Sequence, residues 1–152
     1  MPVRFQVVID VQDAGLETRF WAAALGYELA PPPSGFATWD DYYRSLGVPE
    51  EEMTGETDRI MDPSGAGPRI WFHVVPEPKI CKNRLHFDID ASASHAGGIS
   101  HVPFEVRKER VEAEAARLVG LGATRLETLY EEGIDHYAVA MQDPEGNEFD
   151  IH

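Results

Sequence analysis

Residues 3 to 10 alternate in polarity. Val3, Phe5, Val7 and Ile9 fall on one side of an extended segment and Gln6, Val8 and Asp10 on the other, the two-residue period of a strand. The period then lengthens. Asp13 has the chemistry of a helix N-cap, Leu16, Phe20, Ala23 and Ala24 recur at helical spacing, and Trp21 and Leu25 widen the apolar stripe. Gly26 directly after Leu25 is a helix stop. A second helix is predicted from about Glu105 or Arg107, with Val111, Ala115 and Leu118 inward and a stop at Leu121-Gly122.

Short extended segments follow each helix. In the first half they are Tyr27 to Ala30, Phe36 to Trp39, Thr57 to Met61 and Arg69 to Val75. In the second half they are Thr124 to Tyr130, His136 to Gln142 and Glu148 to His152. Pro31-Pro32-Pro33-Ser34-Gly35 breaks regular structure, and the stretch from Trp39 to Thr57 holds room for a short helix around Asp41 to Leu46. Ala91 to Pro103, rich in small residues and carrying His95 and His101, is predicted to be an exposed loop. Pro76-Glu77-Pro78-Lys79 removes backbone donors and reads as the link between two halves.

The halves repeat one another. Arg4-Phe5-Gln6-Val7-Val8-Ile9-Asp10 is echoed by Arg84-Leu85-His86-Phe87-Asp88-Ile89-Asp90, and Asp62-Pro63-Ser64-Gly65 by Asp143-Pro144-Glu145-Gly146. The expected organisation is therefore two βαβββ modules, residues 1–77 and 78–152, forming one α+β domain. Matching positions in the two copies can face a shared centre. They hold Gln6, His73, His86 and Asp150, all able to bind a metal or a polar ligand.

Charge narrows the partners. Twenty-seven acidic against 13 basic residues give a formal charge of -14, which repels phosphate backbones and anionic lipid heads. Neither nucleic acid nor a membrane is expected as a partner. Cys81 is alone, so no disulfide framework within the chain is available, and no basic leader followed by an apolar run is evident near Met1. A soluble, cytoplasmic protein is expected. There is no Gly-x-Ser-x-Gly elbow and no glycine-rich loop before a helix, so covalent catalysis and nucleotide binding are disfavoured.

Arg19-Phe20-Trp21-Ala22-Ala23-Ala24-Leu25-Gly26-Tyr27 resembles the first-helix signature of the vicinal oxygen chelate superfamily, and Asp143-Pro144-Glu145-Gly146-Asn147 its last hairpin. Val75-Pro76-Glu77-Pro78-Lys79 followed by Lys82-Asn83-Arg84-Leu85-His86-Phe87-Asp88 resembles the glyoxalase-like subgroup. The resemblance implies the glyoxalase/bleomycin resistance/dioxygenase fold, with the sheets of two modules curled into a cup that takes a small molecule or a divalent metal. Superfamily members include lyases, epimerases, dioxygenases and drug-binding resistance proteins, so the fold leaves the function open.

In metal-using relatives the ligands come from the first and last strands of each module. Carried over, Gln6 and His86 take the first-strand places and Asp150 the last-strand place of the second module. The last-strand place of the first module falls to Trp71 or His73, of which only His73 can ligate. Gln6, His73, His86 and Asp150 together suit a divalent Zn, Ni, Fe, Mn or Co ion. By alternation Asp88 lies beside His86, and Glu148 and His152 beside Asp150, which makes Asp88 and Glu148 the candidate acid or base. Trp71, Trp39, Tyr137 and His152 are candidate ligand-binding residues.

Two readings stand. One is a metal-dependent lyase, isomerase or dioxygenase in which an ion polarises vicinal oxygens. The other is a metal-free binding or resistance protein, in which acidic balance and Trp71 suit a cationic organic guest. A homodimer is expected in either, because such modules expose sheet edges.

Overall fold

A computed structural model describes residues 3–53, 55–93 and 102–152; His95, His101 and most of the small-residue loop lie outside them. The chain is α+β and divides into two units, Met1–Pro78 and Lys79–His152, with the boundary inside the proline-rich link. Each is a βαβββ module with its own four-stranded mixed sheet. Among the described residues no helix is long and apolar enough to cross a membrane.

In the first unit β1 (Gln6–Val11) leads into α1 (Ala14–Leu25), followed by β2 (Glu28–Leu29), β3 (Arg59–Met61) and β4 (Arg69–Val74). Asp13 caps α1 as expected, its carboxylate accepting from the Leu16 N–H at 2.8 Å. Gly26 ends the helix at φ 67°, a left-handed conformation that glycine adopts without the Cβ penalty. The sheet order is β1-β4-β3-β2, with β1 and β4 parallel and the other pairs antiparallel. Ile60, Ile70 and Phe72 bury one face of the sheet, and Phe20, Trp21 and Ala24 bury the inner side of α1. Strict alternation then commits Arg59, Trp71 and His73 to the opposite face.

The segment from Phe36 to Trp39 is not a strand. Thr38 instead caps a second helix, α2 (Trp39–Ser45), accepting from the Asp41 N–H at 3.0 Å. Asp40 and Asp41 in its first turn favour this helix start through the backbone dipole. The anticipated short helix thus begins two residues earlier and takes Trp39 with it.

The second unit runs β5 (Asp88–Ile89), α3 (Phe104–Leu121), β6 (Thr124–Tyr130), β7 (Tyr137–Gln142) and β8 (Glu148–Ile151). Its sheet order, β5-β8-β7-β6, repeats that of the first, again with the first and last strands of the module parallel. Val111, Ala115 and Leu118 on α3 and Val139, Met141, Phe149 and Ile151 on the sheet form its core, all at most 1% exposed. Gly122 closes α3 at φ 115°, matching Gly26 in the first module.

Candidate functional site

In the second unit the parallel pairing of β5 with β8 sets Asp88 opposite Asp150, and the Asp150 N–H donates to the Phe87 carbonyl at 2.9 Å. His86, two residues before Asp88, is on the same face. Its Nδ1 lies 2.8 Å from Asp88 Oδ1 and 3.9 Å from Asp150 Oδ2. The ligand atoms of the three residues fall within 4.8 Å of one another. An ion with donors at about 2.1 Å holds them at most about 4.2 Å apart, so side-chain shifts of well under 1 Å would close this set round a metal. One imidazole and two carboxylates, all accessible to solvent, make a mixed N/O donor set that fits a divalent cation.

Glu148 lies on the same strand face as Asp150 but is otherwise engaged. Its carboxylate accepts from the Asn83 backbone N–H at 3.0 Å and sits 3.0 Å from Lys79 Nζ. Burial alone would push the carboxyl up, yet the Asn83 and Lys79 contacts outweigh it and hold the pKa at about 2. Such a group is ionised and poorly suited to pick up a proton near neutrality. It ties the incoming 79–83 segment to β8 instead.

Tyr137 does not join the Asp150 face. The β7–β8 register pairs Val139 with Ile151 and Ala140 with Asp150, so Tyr137 lies with Val139 on the helix-covered side. Its hydroxyl donates to Glu112 on α3, and its ring meets Phe104 and Tyr130. Glu112 also receives Arg125, and these hydrogen bonds hold its carboxyl at about 2. His152 follows β8 and is tied by its backbone: its N–H donates to Ile89, and its carbonyl accepts from Ala91 and Ser92.

In the first unit the register decides between Trp71 and His73. Val8, two residues after Gln6, pairs with Trp71, just as Asp88, two residues after His86, pairs with Asp150. Trp71 therefore occupies the place equivalent to Asp150, and His73, opposite Asp10, lies one step farther along the face. His73 Nδ1 is 3.1 Å from Asp10 Oδ1, and its ring centre is 4.9 Å from that of Trp71. Gln6 is exposed and lines an open groove of about 780 Å³ with Arg4, Asp62 and Arg69. Among the described residues, the cluster with metal-ligand spacing is His86, Asp88 and Asp150, all in the second unit.

Trp39 and Trp71 both meet Arg59, which composition and periodicity did not single out. The guanidinium carbon lies 4.3 Å from the Trp39 ring centre and 4.9 Å from that of Trp71. The aromatic faces proposed for a cationic guest are thus already used by a cation of the chain itself. Asp58, also unnoticed in the sequence, accepts from Trp71 Nε1 at 2.8 Å and the Tyr43 hydroxyl at 3.0 Å. Burial, followed by the Asp58 charge, raises the Tyr43 pKa. The available signal was the β3–β4 register, which sets Arg59 opposite Trp71 and cannot be read before strands are paired.

Comparison with solved structures shows the same architecture. The glyoxalase/bleomycin resistance protein/dioxygenase family enzyme of Burkholderia phytofirmans is 18% identical, over 96% of this chain and 94% of its own, with a TM-score of 0.55. The fosfomycin resistance protein FosX of Listeria monocytogenes is 13% identical over 100% and 91%, with a TM-score of 0.61. A variant of FosX complexed with Mn(II) and 1S,2S-dihydroxypropylphosphonic acid matches over 97% and 86% at 13% identity, with a TM-score of 0.57. At these identities the likeness is one of fold. Sequence carries the assignment further: residues 6–152 match the family described as glyoxalase-like domain, so the chain belongs to that family, within the vicinal oxygen chelate superfamily.

Proposed function

We propose that this glyoxalase-like protein binds a small organic molecule and uses a divalent ion held by the second module to act on it as a lyase, isomerase or dioxygenase. The observation that carries the reading is the convergence of His86, Asp88 and Asp150 within 4.8 Å. A bound ion would supply Lewis acidity toward adjacent oxygens of the substrate. Asp150 is fixed by strand pairing with β5, and Asp88 fixes the His86 ring through Nδ1, the kind of carboxylate–histidine contact that orients a ligand and raises its basicity. We assign Asp88 to the ion set and to holding His86 rather than to proton transfer, and Glu148 is engaged by Lys79 and Asn83. The Mn(II) carried by FosX agrees with an oxygen-rich donor set of this kind.

The metal-free binding reading draws on the aromatic cluster of Trp39, Tyr43 and Trp71, with Arg59 and not the guest as its cation. The two separate on metal content. Protein prepared without a histidine tag, stripped and titrated calorimetrically with Mn(II), Zn(II), Ni(II), Co(II) or Fe(II), should bind one ion per chain. His86→Ala should weaken binding at least about 100-fold and Asp88→Asn about 10- to 100-fold. Absence of binding for all five ions sinks the metal reading and leaves the binding-protein reading. A cytoplasmic homodimer completes the proposal, with β1 and β5 each an edge strand of its sheet; sedimentation equilibrium checks the mass.

A further inference from the structure

Arg59 on β3 is packed tightly and hydrogen-bonded poorly. Trp39 and Tyr43 reach it from α2 and Trp71 from β4, with ring centres 4.3, 5.6 and 4.9 Å from the guanidinium carbon. Only 18% of its side chain is accessible. Its closest approach to a carboxylate runs through Nε, 3.8 Å from Asp58 Oδ1, beyond hydrogen-bond range. The second Asp58 oxygen is taken by Tyr43 and Trp71. Among the described residues nothing accepts a hydrogen bond from the Arg59 guanidinium.

Several other arginines of the chain find acceptors. Arg107, more enclosed at 10% side-chain exposure, donates to the Val102 carbonyl and to Asp135. Arg44, Arg117 and Arg125 each meet a glutamate through two nitrogens. A guanidinium carries five N–H donors in a planar fork, and no Arg59 nitrogen is both buried and unpartnered, so donors without a protein acceptor stay open to solvent or to an incoming acceptor. Contact with the two indole rings consumes none of those donors and restricts the freedom of the guanidinium. Because Asp58 approaches from the Nε side, the edge formed by the two terminal nitrogens lies farther from that carboxylate. The edge formed by the two terminal nitrogens has no acceptor among the described residues.

We propose that Arg59 is an anion-recognition residue of the first module, taking the carboxylate, phosphate or phosphonate group of a small molecule through its two terminal nitrogens. Bidentate geometry favours such oxyanions, and a pre-oriented fork loses little freedom on binding them. With a formal charge of -14, the protein does not steer anions toward itself, so selectivity rests on this local geometry. The same face carries Trp71 in ring contact with His73, an aromatic surface beside the guanidinium for the body of the ligand. This assignment stands on the first module alone and does not depend on the metal proposal.

The three tryptophans supply the test. Phenylphosphonate, benzoate and neutral benzamide are titrated to about 10 mM, a range that captures weak fragment binding, while indole N–H resonances are followed by NMR. EDTA is present throughout, so that a metal at His86 contributes nothing. The expected result is saturable movement of the Trp39 and Trp71 indole signals with at least one of the two anions. The buried Trp21 signal should stay still, and benzamide should have no effect. The tighter-binding anion identifies the head group. Arg59→Gln should weaken binding at least tenfold, and Arg59→Lys, which keeps the charge without the fork, should fall between. If Arg59→Gln fails to fold, as judged by circular dichroism, Arg59→Lys alone must still weaken the interaction. Unmoved Trp39 and Trp71 signals, equal response to benzamide, or undiminished affinity in a folded Arg59 variant would overturn the proposal.

Discussion

Glu148→Gln separates a clasp from a catalytic base. In the native protein the carboxylate receives the Asn83 N–H and lies 3.0 Å from Lys79 Nζ, with 17% of the side chain accessible. Its pKa falls from 4.5 to about 2, and at about 1.36 kcal/mol per pH unit this corresponds to a stabilisation on the order of 3 kcal/mol. The direction in pH follows. A depressed carboxyl contributes fully above about pH 4.5, where folded and unfolded chains are both ionised, and the contribution fades as the pH drops toward about 2. Glutamine keeps an acceptor for Asn83 and loses the charge that meets Lys79, so about 1 to 3 kcal/mol should be lost at pH 7. All three tryptophans precede the link between the modules, so indole fluorescence is the wrong probe. Amide hydrogen exchange of residues 148–151, measured between pH 7 and pH 4, and urea unfolding followed by circular dichroism down to pH 3, give the right readout. The difference between wild type and variant should narrow as the pH falls. An unchanged protection at pH 7, or a deficit that stays constant to pH 3, would show that the charge of Glu148 does not hold this segment.

Three other outcomes are expected. Leu118→Ala, at a site with no exposure between α3 and the second sheet, should destabilise by about 2 to 5 kcal/mol in urea unfolding. Asp13→Ala removes the 2.8 Å cap on the Leu16 N–H and should cost about 1 kcal/mol, seen as faster exchange in the first turn of α1. Asp58→Asn, which replaces the buried carboxylate shared by Tyr43 and Trp71, should lower the Tyr43 pKa, because the Asp58 charge is one of the causes of its rise; ultraviolet titration of the tyrosines measures it.

Periodicity carried the elements because the hydrophobic faces are clean. Ile60, Ile70 and Phe72 can only sit against α1, and Val111, Ala115 and Leu118 can only face their own sheet, so strand parity and both glycine stops were legible. The segment from Phe36 to Trp39 misled because aromatic residues score as strand formers while the deciding force was local. Thr38 offered a cap and Asp40-Asp41 a favourable first turn. Tyr137 was ambiguous for a related reason: at the first position of a strand, either face is open until a cross-strand partner is known.

The site was half legible, and the division has a physical cause. Two-residue alternation puts Glu148 with Asp150 on β8 and His86 on the side of Asp88, although β5 itself begins only at Asp88, and the short His86–Asp88 distance agrees. What alternation cannot supply is offset between strands. The parallel register makes Trp71, and not His73, the counterpart of Asp150, so the carboxylate-rich place of one module is an indole in the other. The unequal pair of Gln6 and His86 pointed the same way at the opposite strand. Duplication of the fold preserved backbone geometry while the chemistry of the copies diverged. The second module keeps an imidazole and two carboxylates spaced for a cation, and the first sets a stacked arginine beside Trp71. That divergence is why metal binding and anion binding are separately testable, one through His86 and the other through Arg59.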